Sequence, residues 1–69
     1  MRVLMILRTP NGGYIVDVRS KPPAAPFAKQ YLADSEGQLR QVLLLDLGLS
    51  LALVERLVAD KPTAEVDIP

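Results

Sequence analysis

A chain of 69 residues is long enough for one small domain, spanning residues 1–69, and it buries only about 60% of its unfolded surface. Because it contains no cysteine or histidine, disulfides, thiolate or imidazole metal sites and the usual nucleophile–base pairs are excluded. Its formal net charge is zero, but basic side chains dominate up to Gln30 and acidic side chains after it. Neither part is basic enough for a nucleic-acid-binding tail, so we expect a domain that is not an enzyme and that has no cofactor and no metal.

Residues 2–19, RVLMILRTPNGGYIVDVR, carry the clearest structural signal in the sequence, a β-hairpin. Two runs rich in Val, Ile and Leu flank TPNGG, and Asn11-Gly12 is typical of a type I′ turn, which needs positive φ at both central residues. A two-residue turn there and a four-residue loop over residues 10–13 both pair Thr9 with Tyr14. This register predicts that the core face carries Val3, Met5, Leu7, Tyr14, Val16 and Val18.

The opposite face of the predicted hairpin is half apolar. It carries Leu4, Ile6, Arg8, Ile15, Asp17 and Arg19. The solvated face of an antiparallel sheet is ordinarily polar, so we expect another element or another chain to cover this one. Leu4, Ile6 and Ile15 are therefore the predicted partner contacts on the sheet.

A proline-rich connector follows the hairpin and leads to a segment with two interpretations. RSKPPAAP places three prolines within five residues, which favours an extended connector over a central strand. FAKQYLAD, residues 27–34, stacks Phe27 on Tyr31 if it is a helix. A hairpin of only two strands is poorly stable and is completed by a third, so we favour a strand, with the helix as the alternative.

The second half of the sequence predicts two helices around a glycine turn. Ser35 followed by Gln38 matches a capping box, and apolar residues at helical spacing extend the first helix from Glu36 to Leu47. Gly48 suits a left-handed helix end and Ser50 suits the next cap. The alternation of leucines over residues 45–53 would also fit a strand, but leucine is a good helix former, so we favour helix, turn, helix. AEVDIP at the end reads as a short edge strand.

The helical stretch RQVLLLDLGLSLALVERLV resembles the helix-turn-helix DNA-binding pattern. Gly48 falls on the turn glycine of that family, and Leu43, Leu47, Leu49, Val54 and Leu57 fall on its buried positions. The positions that would read bases hold Ser50, Leu51, Ala52, Glu55, Arg56 and Ala59. Base recognition needs Arg, Lys, Asn or Gln there, with cations for the phosphates. A nucleic-acid-binding regulator that uses either this degenerate motif or the hairpin residues Arg2, Arg8 and Arg19 is therefore the alternative function, and nucleic acid is not the expected partner.

The stretch ILRTPNGGYIVDV is similar to the opening hairpin of HicB-type antitoxins, in which a polar glycine turn precedes an aromatic residue and a run of strand residues. A third strand and a capped helix follow in the same order in KQYLADSEGQLRQVL. The resemblance implies a partial ribonuclease-H-like fold, binding to a small toxin protein, and dimerisation. The family's Pro-Gly motif after the second strand is replaced by SKPPAAPF.

Two apolar stretches are too short for a secretory signal or a membrane span. MRVLMILR has five apolar residues between Arg2 and Arg8, whereas a signal core needs about 7–15. The leucine-rich stretch is interrupted by Asp46 and ends near Val54, short of the ~20 residues that cross a bilayer. We expect a cytoplasmic protein without a membrane partner.

The predicted fold class is α+β, with an N-terminal β-hairpin, extended by residues 27–34 to a three-stranded antiparallel sheet, packed on two C-terminal α-helices. The predicted function is a small non-catalytic protein-binding module, such as a regulator, inhibitor, antitoxin-like protein or assembly factor. Its partner is another protein or a second copy in a homodimer. Contacts are expected at Leu4, Ile6 and Ile15 on the half-apolar hairpin face, at an edge strand, and at Leu51 on the second helix.

Overall fold

The computed structural model describes residues 2–20 and 28–69. Within these ranges the strands are β1 (Arg2–Arg8), β2 (Tyr14–Ser20), β3 (Ala28–Ala33) and β4 (Thr63–Ile68). The helices are α1 (Glu36–Gln41), which continues as a π-helical segment (Val42–Asp46), and α2 (Leu51–Asp60). The strands form one antiparallel sheet in the order β3-β2-β1-β4.

The α+β class is confirmed, with a difference in the sheet. The sheet has four strands within the described residues, where the predicted fold packed a three-stranded sheet on two C-terminal helices; the fourth is the short edge strand expected at AEVDIP. The last strand, β4, pairs with β1 and not with its neighbours in sequence, because the two helices return the chain to the free edge of the hairpin. Residues 28–33 are a strand, while residues 21–27, with the three prolines of the connector and Phe27, lie outside the described residues.

The hairpin loop has three residues, which makes the predicted register wrong by one. The Thr9 amide donates to the Gly13 carbonyl at 3.0 Å, and the Gly12 amide donates to the Thr9 carbonyl at 3.1 Å. Gly12 has a φ of 83°, so the loop is a type I turn closed by a left-handed glycine. Pro10 explains why the loop has three residues and not two. A type I′ turn at Asn11-Gly12 would need an N–H from Pro10, which has none. Its fixed φ suits the second position of a type I turn.

The odd loop length exchanges the two faces of β1. Arg8, not Thr9, now pairs with Tyr14, and a shift of one residue turns every side chain of a strand to the other face. Leu4 and Ile6 are completely buried in the core. The prediction that Val3, Met5 and Leu7 face the core is therefore wrong, whereas Val16 and Val18 are buried as expected and Tyr14 packs against the core.

Both predicted helix caps form. The Ser35 hydroxyl accepts a hydrogen bond from the Gln38 amide at 3.2 Å, and the Ser50 hydroxyl accepts one from the Leu53 amide at 3.3 Å. Gly48 ends the first helical segment with a φ of 67°, so the leucine alternation is helix, turn, helix and not a strand. The expected α-helix to Leu47 departs from α geometry in its second half, where the Leu47 amide donates to the Val42 carbonyl five residues earlier, at 3.1 Å.

The two helices cover one face of the sheet. The core joins side chains of the sheet to both helices, and its buried members are Leu4, Ile6, Val16, Val18, Ala33, Leu39, Val42, Leu43, Leu47, Leu49, Val54, Leu57, Val58 and Ile68. The N-terminal strand is also tied to the C-terminus, because the Arg2 guanidinium donates to the Pro69 carbonyl at 2.8 Å and to the Leu47 carbonyl at 3.2 Å. No helix or strand of residues 2–20 and 28–69 lies on the other face of the sheet.

A chain of ion pairs joins the outer surfaces of the two helices. Arg40 contacts Glu36 at 3.0 Å and Glu55 at 2.9 Å, and Lys61 contacts Glu36 at 2.7 Å. The bond from Lys61 holds the pKa of Glu36 below its usual range. The bond from Arg40 does the same to the pKa of Glu55. Both carboxylates thus bind protons less readily in the folded chain than in the unfolded one.

Stability is expected to fall in acid because of this network. The unfolded chain binds more protons than the folded chain wherever a folded pKa is lowered, so the free energy of unfolding rises with pH. The contribution of Glu36 is present above the ordinary pKa of 4.5 and is lost as the pH falls through its lowered folded pKa. Urea unfolding of Glu36→Gln should show a loss at neutral pH that disappears in acid.

Asp46→Asn is the matched control, since Asp46 is exposed and forms no ion pair within the described residues. When its free energy of unfolding is plotted against pH, the curve should run parallel to that of the parent chain. A constant difference between Glu36→Gln and the parent at every pH would contradict the ion-pair origin of the effect.

Candidate functional site

The face of the sheet opposite the helices, here called the open face because no other described element lies on it, carries a row of three apolar side chains, here called the apolar row. Leu7 of β1 pairs with Ile15 of β2, and Ile15 pairs with Leu32 of β3. Cross-strand partners point to the same face about 5 Å apart, so the row crosses three strands next to the hairpin loop. Leu7 is 39% exposed and Leu32 is 75% exposed, while Ile15 between them is half-buried.

The far end of the same face is charged. Asp17 pairs with Met5 on one side and is only 7% exposed, and Arg19 contacts its carboxylate at 3.2 Å. This hydrogen bond raises the pKa of the Arg19 guanidinium above its ordinary value. A small hollow of about 110 Å³ lies beside the pair and is lined by Val3, Met5, Asp17, Arg19 and Glu65. The open face therefore has an apolar end and a charged end.

The structure separates the four predicted partner contacts. Leu4 and Ile6 lie in the core, so their assignment to the outer face was wrong, for the reason given by the loop length. Ile15 lies in the apolar row. Leu51 is 63% exposed but begins α2, in the helical layer on the other side of the sheet.

Sequence reasoning missed Leu7 and Leu32. A signal for Leu7 was present in Pro10, which disfavours the two-residue turn and with it the assumed register. The exposure of Leu32 could have been predicted by reading residues 28–33 as a strand. In a strand, Leu32 points to the face opposite that of the half-buried Tyr31. Its place beside Ile15 depends on a pairing between strands that the sequence does not specify.

A second feature lies along the free edge of β3 and is called the β3–α1 groove. It is a hollow of about 500 Å³ lined by Leu32, Asp34, Gln38, Gln41, Val42, Leu45 and Asp46. Leu45 comes from the π-helical segment and is 79% exposed. The groove thus contains the two most exposed large apolar side chains of residues 2–20 and 28–69.

The helix-turn-helix positions have the burial expected from the motif. The five apolar positions predicted to be buried are buried, and the base-reading positions of α2 are exposed. Of these, Glu55 is bonded to Arg40. The three hairpin arginines do not meet, because Arg2 and Arg8 occupy opposite ends of β1 and Arg19 lies on the opposite face, bound to Asp17.

Comparisons with known proteins returned no relatives. No family model matches the chain, and no curated protein or solved structure matches it significantly. The resemblances to HicB-type antitoxins and to the helix-turn-helix stay predictions. Over residues 2–20 and 28–69, no helix has the length and apolar character needed to cross a membrane, and no acidic cluster of the kind that holds a metal ion occurs there.

Proposed function

We propose that the chain is a small protein-binding module without catalytic activity, and that it acts through the open sheet face. One observation carries the proposal: the apolar row Leu7, Ile15 and Leu32 lies on a face that no helix or strand of the described residues covers. The solvated face of an antiparallel sheet is ordinarily polar. A contiguous apolar patch on a small domain is typical of an interaction surface.

The size of the row limits the kind of complex. A stable interface buries about 800 Å² on each partner, and three side chains supply only its centre. The rest of the contact must come from Met5 and Val3 beside the row and from the charged end with Arg19 as a rim. Apolar centres with polar rims are the usual arrangement of protein interfaces.

A second copy of the chain fits the same face. The row is uncharged, so two rows related by a twofold axis stack without opposing like charges. Small domains without disulfides often complete their burial by oligomerisation. The homodimer expected from the sequence is therefore one form of the proposal, and a different protein partner is the other.

The test compares Leu32→Asp with Leu51→Asp, both of which replace exposed leucines. We expect Leu32→Asp to abolish dimerisation in sedimentation equilibrium and to abolish cross-linking to a partner in the host, because a carboxylate at the centre of an apolar contact is costly. Leu51→Asp, in the helical layer, should leave both unchanged. Ile15→Asp should act like Leu32→Asp.

Circular dichroism establishes that each variant is folded before association is measured. If folded Leu32→Asp and Ile15→Asp keep the oligomeric state and the partner of the parent chain, the open face is not the binding surface. Loss of association in Leu51→Asp would assign the interface to α2 instead.

A further inference from the structure

The β3–α1 groove combines three apolar side chains with the edge strand β3. Leu32, Val42 and Leu45 are its apolar side chains, called the floor, and the rest of the lining is polar. β3 pairs with β2 on one side and has no partner strand on the other within the described residues. An extended peptide can add to such an edge through main-chain hydrogen bonds, while its side chains enter the adjacent hollow.

The charge around the groove has one sign. Asp34 and Asp46 line it, and none of its lining residues is lysine or arginine. Neither carboxylate forms an ion pair with the residues that the structure describes, although Asp17, Glu36 and Glu55 are all paired with arginine or lysine. The apolar floor is therefore bordered by two uncompensated negative charges.

We infer that the β3–α1 groove binds an extended segment of a partner protein in which apolar side chains are flanked by lysine or arginine. The inference rests on the proposed function of protein binding, assigns a second surface beside the open face, and states the chemistry of its partner. The apolar side chains, which lie on one face of an added strand, contact Leu45, the cations pair with Asp34 and Asp46, and the backbone adds to β3. Complementary charge of this kind sets partner choice and accelerates association.

The same charges exclude three other occupants. A second copy docked groove to groove about a twofold axis would bring two copies of Asp34 and Asp46 together, which opposes association. Nucleic acid and an anionic lipid surface both carry the wrong sign. A basic segment is the occupant that the groove complements.

The probe is a synthetic peptide of alternating lysine and leucine, Ac-KLKLKLK-amide, with Ac-ELELELE-amide as its acidic counterpart. Titration into the isotope-labelled full chain is followed by amide NMR shifts, and affinity is measured by fluorescence anisotropy. We expect the basic peptide to shift amides of residues 30–34 and 38–46, and the acidic peptide to shift none of them. Higher salt should weaken binding, because exposed charges are screened.

Substitutions distinguish the contribution of the apolar floor to binding from that of the two carboxylates, Asp34 and Asp46. Leu45→Ala is expected to weaken the basic peptide about tenfold, since a central apolar anchor contributes at least about 1.4 kcal/mol. Asp34→Asn combined with Asp46→Asn should also weaken it and flatten its salt dependence. Leu51→Ala, which removes an exposed leucine in the other part of the helical layer, should change affinity less than twofold.

The outcomes distinguish the groove from the open face. Three results would overturn the proposal that the groove binds a basic segment. They are equal binding of both peptides, shifts confined to α2 and β4, and full affinity in Leu45→Ala. Loss of self-association in Leu45→Asp assigns the groove to a second copy and also overturns it. If groove binding fails while Ile15→Asp still abolishes association, the proposed function stands without it. If groove binding fails and Ile15→Asp also leaves association unchanged, the groove inference and the proposed function both fail.

Discussion

Leu4→Ala is expected to lower the free energy of unfolding by about 2–5 kcal/mol, the range for removing a fully buried leucine side chain. Leu4 is completely buried, beside Val16, Val18 and the helices. A domain of this size rarely has more than about 3–5 kcal/mol of stability. Urea unfolding followed by far-UV circular dichroism should therefore find the variant largely or wholly unfolded without denaturant.

Leu7→Ala is the matched control on the same strand. Leu7 lies on the open face and is 39% exposed, so its truncation should cost about 0.5 kcal/mol or less. The comparison also tests the hairpin register, because pairing Thr9 with Tyr14 would bury Leu7 and expose Leu4. A larger loss in Leu7→Ala than in Leu4→Ala would contradict the three-residue loop.

Arg19→Met is expected to destabilise the chain more than removal of the whole Asp17–Arg19 pair. The Asp17 side chain is 9% exposed, and within the described residues its hydrogen bonds come from Arg19. Removing the guanidinium leaves a largely buried carboxylate without its partner, which destabilises the fold. The loss is moderated because the Arg19 side chain is more than half exposed and solvent screens the pair.

The double variant Asp17→Val with Arg19→Met completes the measurement. Replacing both members by apolar residues removes the unpaired charge and is often neutral in energy. Urea unfolding of both single variants and the double variant gives the coupling between the two positions. Equal losses in Arg19→Met and in the double variant would show that the ion pair does not stabilise the open face.

The side chains that stabilise the fold are different from those proposed to bind partners. The side chains that hold the fold, such as Leu4 and Ile6, point to the helices. The apolar row and Leu45 contribute little to the core. Their substitution should therefore change association without unfolding the chain, which makes the binding experiments interpretable.

Local signals in the sequence were sufficient for the elements themselves. Ser35 and Ser50 cap the helices as expected, Gly48 ends the first helical segment, and the hairpin lies where Asn11-Gly12 indicated it. Each of these features depends on residues within a few positions of one another. The α+β class followed from their order along the chain.

The tertiary structure alone decided which faces these elements present. One extra residue in the hairpin loop turned Leu4 and Ile6 inward and Leu7 outward, because strand side chains alternate with a period of two. The pairing of β4 with β1 joins Arg2 to Ile68, and the groove brings Leu32 beside Leu45. The sequence by itself determined a small α+β domain with more apolar surface than its core requires. Where that surface lies depends on contacts between residues far apart in the chain, which no local pattern encodes.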